Sequence, residues 1–161
     1  MQANQSRASS QRQSGFTLIE VMVAMVMIAI LTSIAIPSYR SYVRRAQLSD
    51  AFSTLADLRV KMEQFYQDNK YYGAGSASTT CATLPGYGGF PFSTKHFTFD
   101  CGANGGGAPL QIYVLTAIGN SGVTTGYDYS LNQQGTKGTT KFDGNSSSAT
   151  CWLTRSTDCD N

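Results

Sequence analysis

The stretch Gly15-Phe16-Thr17-Leu18-Ile19-Glu20-Val21 opens the apolar run that decides how this chain is organised. The 19 residues from position 21 to position 39 carry no formal charge, and a helix needs about 17 to 25 such residues to cross a bilayer. The run therefore predicts a membrane-spanning helix. Glu20 is the exception, because it places a carboxylate where an unpaired charge is costly.

The order of segments around the run argues against an ordinary secretory signal, which is cleaved after its apolar region. Here the junction precedes the run and follows a short polar segment, residues 1–14. This junction resembles the class III signal of type IV prepilins, in which a prepilin peptidase cuts between glycine and phenylalanine and methylates the new amine. The resemblance implies that residues 1–15 are a leader, that cleavage separates Gly15 from Phe16, and that Phe16 becomes N-methylated. An unprocessed single-pass anchor is the alternative interpretation.

Composition limits what the rest of the chain can be. The 161 residues suffice for one domain and an anchor. Without the leader the chain has ten basic and ten acidic side chains, so bulk charge does not favour nucleic-acid binding. Charged residues make up 14% of the chain, below the roughly 25% usual in soluble domains, as expected of an exported protein with a polar surface.

Four cysteines follow the apolar run, at Cys81, Cys101, Cys151 and Cys159. An even number in a compact exported domain predicts two disulfides and an oxidising compartment. Of the three possible pairings, Cys81 with Cys101 and Cys151 with Cys159 is favoured because both close local loops. A zinc site is the competing interpretation, but the cysteines and His96 lack the spacing of known zinc motifs. We therefore expect no metal and no other cofactor.

The positive-inside rule does not decide the orientation of the predicted span. Arg7 and Arg12 flank one side, whereas Arg40, Arg44 and Arg45 flank the other. The cysteines and the resemblance of the leader predict that residues 1–15 lie in the cytoplasm. The head, which contains the cysteines, then lies on the other side of the membrane.

The helical pattern continues beyond the apolar run. One continuous helix is predicted from about residue 16 to about residue 70, apolar all round in 16–39 and amphipathic in 40–72. Pro37 lacks the N–H that would bond the Ser33 carbonyl, so a bend is expected there, with hydroxyls of Thr32 and Ser33 returning bonds to freed carbonyls. Type IV pilins have a proline at the matching place, although Ala29 stands where many of them have glycine. The apolar stripe of the amphipathic half comprises Leu48, Phe52, Leu55, Leu58, Met62 and Phe65.

Beyond the helix the sequence predicts an α+β head. A loop at 73–95 precedes the strands, with Gly73 or Gly75 as helix cap, and a loop at 143–161 closed by a disulfide follows them. The short connections predict a four-stranded antiparallel sheet packed on the amphipathic half of the helix. The predicted strands are residues 96–101, 110–118, 127–132 and 136–142, with the glycines at 102–107 in the first turn.

A second resemblance lies near the C-terminus. Leu131-Asn132-Gln133-Gln134-Gly135-Thr136-Lys137-Gly138, followed by Cys151-Trp152, is similar to the C-terminal half of the PilE-like and ComP-like branch of type IVa pilins. Together the two resemblances imply a structural pilus subunit that polymerises with copies of itself. They also imply two further partners: prepilin peptidase, which cleaves the leader, and the inner-membrane pilus assembly machinery, which builds the filament. They imply an inner-membrane anchor with a periplasmic head before assembly and an extracellular filament afterwards. The alternatives are a minor pilin, a DNA-uptake receptor pilin and, less in keeping with two disulfides, a type II secretion pseudopilin.

Glu20 and Phe16 are the residues expected to carry assembly. Cleavage leaves the amine of Phe16 as a cation only four residues from the Glu20 carboxylate, and opposite charges at that depth attract strongly. The resemblance implies that Glu20 of an incoming subunit pairs with the methylated Phe16 of its neighbour. In the competing interpretation Glu20 lies near the lipid headgroups and is solvated.

Catalysis is not predicted. One histidine and four oxidised cysteines cannot supply a Ser/His/Asp or Cys/His set, and no glycine-rich phosphate loop opens a helix after a strand. Because ComP-like pilins are DNA-uptake receptors, four basic residues near the fourth strand and the C-terminal loop are candidate DNA contacts. The alternative is that they are solvated strand-edge charges. They are Lys95, Lys137, Lys141 and Arg155.

Overall fold

The structure is a computed structural model and describes residues 15–102, 110–156, 158 and 159. Most of the leader and the predicted glycine turn at 103–107 lie outside the described residues. The chain divides into two compact units, one ending at Tyr39 and the other spanning Arg40–Asn161.

Helix α1 spans Leu18–Asn69 and passes through Pro37. It ends because Lys70 adopts a left-handed conformation, with φ of 65°, and the Lys70 Nζ donates to the Gln67 carbonyl at 2.6 Å. The prediction that Gly73 or Gly75 caps this helix is wrong. Gly73 is instead bridged to Cys81, and a Cβ atom at this position would lie 2.9 Å from the Ser78 carbonyl oxygen.

The amphipathic half of α1 buries the predicted stripe. Its fully buried residues come at helical spacing and face the sheet, while Phe65 at the end of the stripe is only partly buried. The sheet forms the layer opposite the helix. Buried and more exposed side chains alternate along its central strands, so every second residue of each strand joins the same core. The buried helix residues are Leu48, Ala51, Phe52, Leu55, Leu58 and Met62.

Across the described residues the sheet has six antiparallel strands in chain order. The predicted α+β architecture is therefore confirmed, but the predicted count of four strands is wrong. Strand β1 falls in the predicted 73–95 loop, and β6 falls in the predicted C-terminal loop. The second predicted strand also begins four residues later than expected, at Val114. The strands are β1 (Phe92–Ser93), β2 (Phe97–Gly102), β3 (Val114–Gly119), β4 (Asp128–Asn132), β5 (Lys137–Phe142) and β6 (Asn145–Ala149).

Strands β5 and β6 are joined by a two-residue turn. Phe142 pairs with Asn145, and the intervening Asp143 and Gly144 have φ of 52° and 81°. Two consecutive positive φ angles match the twist of a hairpin, and an Asp-Gly pair is a common solution. The serine-rich β6 has little intrinsic β propensity, so the turn is the stronger signal for this hairpin.

The two disulfides hold the irregular segments to the head. Cys81 of the long loop is bonded to Cys101 of β2, and Cys151 is bonded to Cys159. This is the pairing that the sequence analysis favours. It leaves no cysteine thiolate for the alternative zinc site.

Candidate functional site

The N-terminal end of α1 has the arrangement of a capped helix. Thr17 precedes the helix, and its carbonyl oxygen accepts from the Glu20 N–H at 3.2 Å, with the Thr17 Oγ1 at 3.4 Å from the same nitrogen. Thr-x-x-Glu is the spacing of a capping box. Phe16 is 84% exposed, and a Cβ atom at position 15 would meet nothing within 4 Å. Packing therefore gives no reason for glycine at this position, which is consistent with a role in recognition.

The apolar part of α1 contacts little else. Every residue from 16 to 40 is exposed, including Leu31 at 67% and Ile34 at 72%. Among the described residues this is one helix that is long and apolar enough to cross a membrane. A contiguous apolar surface of this extent requires lipid or a protein partner.

Pro37 lies inside this segment. The Thr32 hydroxyl donates to the Ile28 carbonyl at 2.9 Å and the Ser33 hydroxyl donates to the Ile30 carbonyl at 2.7 Å. These acceptors lie upstream of Ser33, whose carbonyl is the one that proline leaves without a helical donor. The prediction that the two hydroxyls satisfy the freed carbonyl is therefore wrong, because such side chains reach back three or four residues. The bend at Pro37 stays a prediction.

Arg44 connects the start of the amphipathic half to the sheet. Its guanidinium carbon lies 5.2 Å from the centre of the Tyr127 ring, within the range of a cation–π contact. The Tyr127 hydroxyl in turn donates to Asp143 Oδ1 at 2.8 Å. Burial, and then the hydrogen bond to Asp143, raise the pKa of Tyr127 to about 12, although Arg44 opposes the shift.

A carboxylate on the other end of the amphipathic half binds two tyrosines. The Tyr72 hydroxyl donates to Glu63 at 3.1 Å, and the Tyr113 hydroxyl donates to Glu63 Oε1 at 3.2 Å. The two rings also meet edge to face, 4.7 Å apart. Burial, and then the hydrogen bond to Glu63, raise the pKa of Tyr72 to about 12, and burial raises that of Tyr113 as well.

These tyrosines predict an alkaline limit to the stability of the head. A raised folded-state pKa means that their contribution is complete below about pH 10, where unfolded tyrosine begins to ionise, and is lost as pH rises toward the folded pKa of about 12. In that window each tyrosine lowers the free energy of unfolding by about 1.4 kcal/mol per pH unit. Urea unfolding of a 40–161 fragment at several pH values measures this slope.

Tyr113→Phe is the matched variant, because it removes one buried phenol and keeps the ring. We expect a shallower alkaline slope for this variant than for the wild type. Equal slopes, or a wild-type stability that stays constant up to about pH 12, would contradict the assignment.

Trp152 connects the C-terminal disulfide loop to the core. Its ring stacks on Phe52 with centroids 4.8 Å apart, and its Nε1–H donates to the Ser130 carbonyl at 2.9 Å. The adjoining backbone is held as well, since Thr139 Oγ1 donates to the Cys151 carbonyl at 2.6 Å and accepts from the Leu153 N–H at 2.9 Å. The short loop is therefore fixed by both a disulfide and a buried aromatic side chain.

The sheet order separates one candidate DNA contact, Lys95, from the two lysines of β5. Lys137 and Lys141 lie at opposite ends of β5, and Lys95 lies beside β2, three strands away in the sheet order. Three of the four have a partner in the head. Lys137 lies 4.6 Å from the Trp152 ring centre, Lys141 is 3.5 Å from Asp128, and Arg155 is 3.3 Å from Asp158.

Comparison with protein families decides the classification. A profile of the family described as "Type IV minor pilin ComP, DNA uptake sequence receptor" matches residues 37–142. The chain belongs to this family of type IV pilins. A profile described as a prokaryotic N-terminal methylation motif matches residues 10–36 of the same pilin. The family is one of pilins and not of enzymes, as the sequence predicts.

Curated relatives are fimbrial proteins. The pilin is 37% identical over 94 residues to the type IV major fimbrial protein FimA of Dichelobacter nodosus, covering 58% of this chain and 59% of FimA. It is 39% identical over 72 residues to fimbrial protein EcpC of Eikenella corrodens, covering 45% and 47%. The chain thus spans about half the length of these relatives. Among solved structures, the non-core minor pilin PilV of Neisseria meningitidis matches with 20% identity and a TM-score of 0.46, over 66% of this chain and 95% of PilV.

Sequence reasoning about this pilin misses Glu63 and Arg44 as contact residues of the head. The partners of Glu63 lie nine and 50 residues away, so no local spacing indicates the network. A usable signal is an acidic residue directly after the buried Met62, because a carboxylate next to the apolar stripe needs a donor.

Proposed function

We propose that this pilin is a structural subunit of a type IV pilus, processed between Gly15 and Phe16 and polymerised through residues 16–39. The observation that carries the proposal is the exposed apolar helix with a single acid, Glu20, near its start. Lipid covers that surface before assembly, and identical helices cover it in the filament. The methylation-motif match at 10–36 supports processing at this place.

Assembly depends on the pairing of opposite charges in an apolar setting. Glu20 of an incoming subunit binds the N-methylated amine of Phe16 of a neighbour. Because a buried carboxylate is stable only when paired, a subunit gains this contact only at the correct axial position. Phe16 is the methylated residue, and Gly15 and Phe16 flank the bond that prepilin peptidase cuts.

The proposed organisation follows from this function. Residues 1–15 are the leader, 16–39 are the membrane span and filament core, and 40–161 are the head. Within the head, α1 continues to Asn69, the loop that follows it carries the short β1, and strands β2 to β6 lie between Phe97 and Ala149. The loop closed by Cys151 and Cys159 follows the last strand. Before assembly the pilin is a single-pass inner-membrane protein with a periplasmic head, and the inner-membrane assembly machinery then moves it into an extracellular filament.

Fractionation tests this proposal. The pilin should sediment with filaments sheared from the cell surface, and deletion of prepilin peptidase should leave it unprocessed in the membrane fraction. Its abundance relative to the other pilins in that fraction distinguishes a major from a minor subunit. Absence from sheared filaments, with normal membrane levels, would favour a type II secretion pseudopilin instead.

A DNA-uptake receptor is the second candidate function. It is favoured by the family match over residues 37–142, because that family is described as a receptor for DNA uptake sequences. The head has four basic candidates for phosphate contact, and two of them are paired with carboxylates. The carboxylates of Asp128 and Asp158 repel phosphate, so they weaken the electrostatic attraction of DNA to Lys141 and Arg155.

A gel-shift titration of the soluble head tests this second function. If Lys95, Lys137, Lys141 and Arg155 contact phosphates, the logarithm of affinity should fall with the logarithm of salt concentration, with a slope no steeper than about −3.6. Lys141→Gln should weaken binding, whereas Lys70→Gln, which changes an exposed lysine elsewhere, should leave it unchanged. Absent or salt-insensitive binding would exclude the receptor role for these residues.

A further inference from the structure

We propose that the juxtamembrane arginines (Arg40 and Arg45) form a binding site for anionic phospholipid headgroups while the pilin is in the membrane. The inference rests on the proposed membrane stage and adds a ligand to it. The site belongs entirely to the second compact unit, which begins at Arg40.

Neither side chain has an ion pair or a side-chain hydrogen bond with the residues that the structure describes. Arg40 is exposed and Arg45 is partly exposed. Among the described residues, ion pairs join Lys141 to Asp128 and Arg155 to Asp158, and neither involves these arginines. The neighbouring Arg44 differs, because Tyr127 engages its guanidinium. Two permanent cations thus remain without a carboxylate partner among the described residues.

The position along the helix matches the depth of lipid headgroups. Arg40 and Arg45 follow Tyr39, the last residue of the uncharged run, by one and six positions. In a continuous helix these steps correspond to about 1.5 Å and about 9 Å of rise, and the headgroup layer is about 5 to 8 Å thick on each side. Helical side chains also lean toward the N-terminus, so both guanidinium groups lean toward the bilayer.

The positions of the two arginines and of Tyr42 around the helix favour lipid over a docked protein as the ligand. Arg45 lies about 140° from Arg40, and Tyr42 lies about 200° from it. Tyr42 is 67% exposed, and tyrosine is enriched at the depth of the headgroups. Arg44 lies between the two arginines, about 40° from Arg40, and contacts Tyr127 of the head. Arg40 and Arg45 therefore flank the side of the helix that faces the head, and Tyr42 lies on the open side, which lipid can cover.

Phosphate is the group that these residues recognise. Arginine binds phosphate oxygens through two parallel N–H donors, and basic residues on the periplasmic side run against the positive-inside tendency. Pairing with anionic lipid compensates for that placement. This contact holds the head of the subunit at the bilayer surface. It is lost when the subunit is extracted from the membrane and neighbouring subunits replace the lipid around it.

The test uses the full mature pilin in nanodiscs that contain equal amounts of phosphatidylglycerol and phosphatidylcholine. Native mass spectrometry counts the lipids that each protein retains. We expect a preference for phosphatidylglycerol that falls by roughly 25-fold in Arg40→Gln/Arg45→Gln, or about fivefold per arginine. Lys70→Gln/Lys95→Gln is the control, because it removes the same charge from exposed sites elsewhere in the head. Circular dichroism and intact disulfides verify folding.

Three results would overturn the proposal: no lipid preference in the wild type, an unchanged preference in the arginine variant, or an equal loss in the lysine control. Displacement of the lipid by inorganic phosphate at similar concentration would indicate a site for free phosphate and not for a headgroup. Incorporation into sheared filaments is scored separately. A failed lipid experiment with normal incorporation therefore refutes this inference and leaves the proposed pilus function intact.

Discussion

Glu20→Gln should reduce incorporation of the pilin into sheared filaments by about a hundredfold or more, while processing of the leader stays normal. The substitution keeps the shape of the side chain and removes its charge. The methylated amine of a neighbouring Phe16 is then buried without a counter-ion, and loss of one partner of a buried pair costs about 3 to 5 kcal/mol. Quantitative immunoblotting of sheared and membrane fractions measures the effect.

Met22→Leu is the control for this prediction, because it changes a residue in the same exposed apolar segment without altering charge. It should assemble nearly as well as the wild type. Glu20→Asp should assemble at an intermediate level, since the carboxylate is retained on a shorter side chain. Wild-type incorporation of Glu20→Gln would show that the carboxylate does not carry assembly.

Trp152→Ala should lower the free energy of unfolding of the head by about 3 to 5 kcal/mol, the usual range for removing a buried aromatic side chain. The tryptophan is 3% exposed, and its loss removes the stack on Phe52 and the hydrogen bond to the Ser130 carbonyl. It also removes one of the contacts that hold the loop between Cys151 and Cys159 to the core, where the hydrogen bonds of Thr139 remain. Urea unfolding of fragment 40–161 at neutral pH measures the change.

Two variants separate the parts of this effect. Trp152→Phe keeps an aromatic ring opposite Phe52 but loses the N–H donor, so we expect a smaller loss. Ile118→Ala removes an apolar side chain that is 44% exposed and should change stability by less than about 1 kcal/mol. Equal losses for Trp152→Ala and Ile118→Ala would contradict the role of the tryptophan.

The helix was predictable because its signals are local. The uncharged run up to Tyr39 and the stripe from Leu48 to Met62 each appear within a few turns of sequence, and the structure has one helix through both. The end of the helix was less predictable, since Lys70 takes a conformation that glycine usually takes. The local sequence pattern therefore predicts that the helix exists, but it does not predict the residue at which the helix ends.

The sheet and the contacts within the head show where local signals stop. Serine-rich β6 was missed because it pairs through a turn at Asp143 and Gly144 and not through its own composition. The Lys141–Asp128 pair depends on the register of β5 against β4, which no single segment specifies. For the same reason the sequence identifies the four basic candidate DNA contacts, but it does not predict how far apart they lie in the folded head.

Mass spectrometry of the pilin in sheared surface filaments tests the central claim most directly, because it reads the N-terminus of the assembled form. We expect a chain that begins with N-methylated Phe16, retains residues 16–39 and contains the Cys81–Cys101 and Cys151–Cys159 bonds. A filament-associated chain that begins at Met1, or one that lacks residues 16–39, would contradict it.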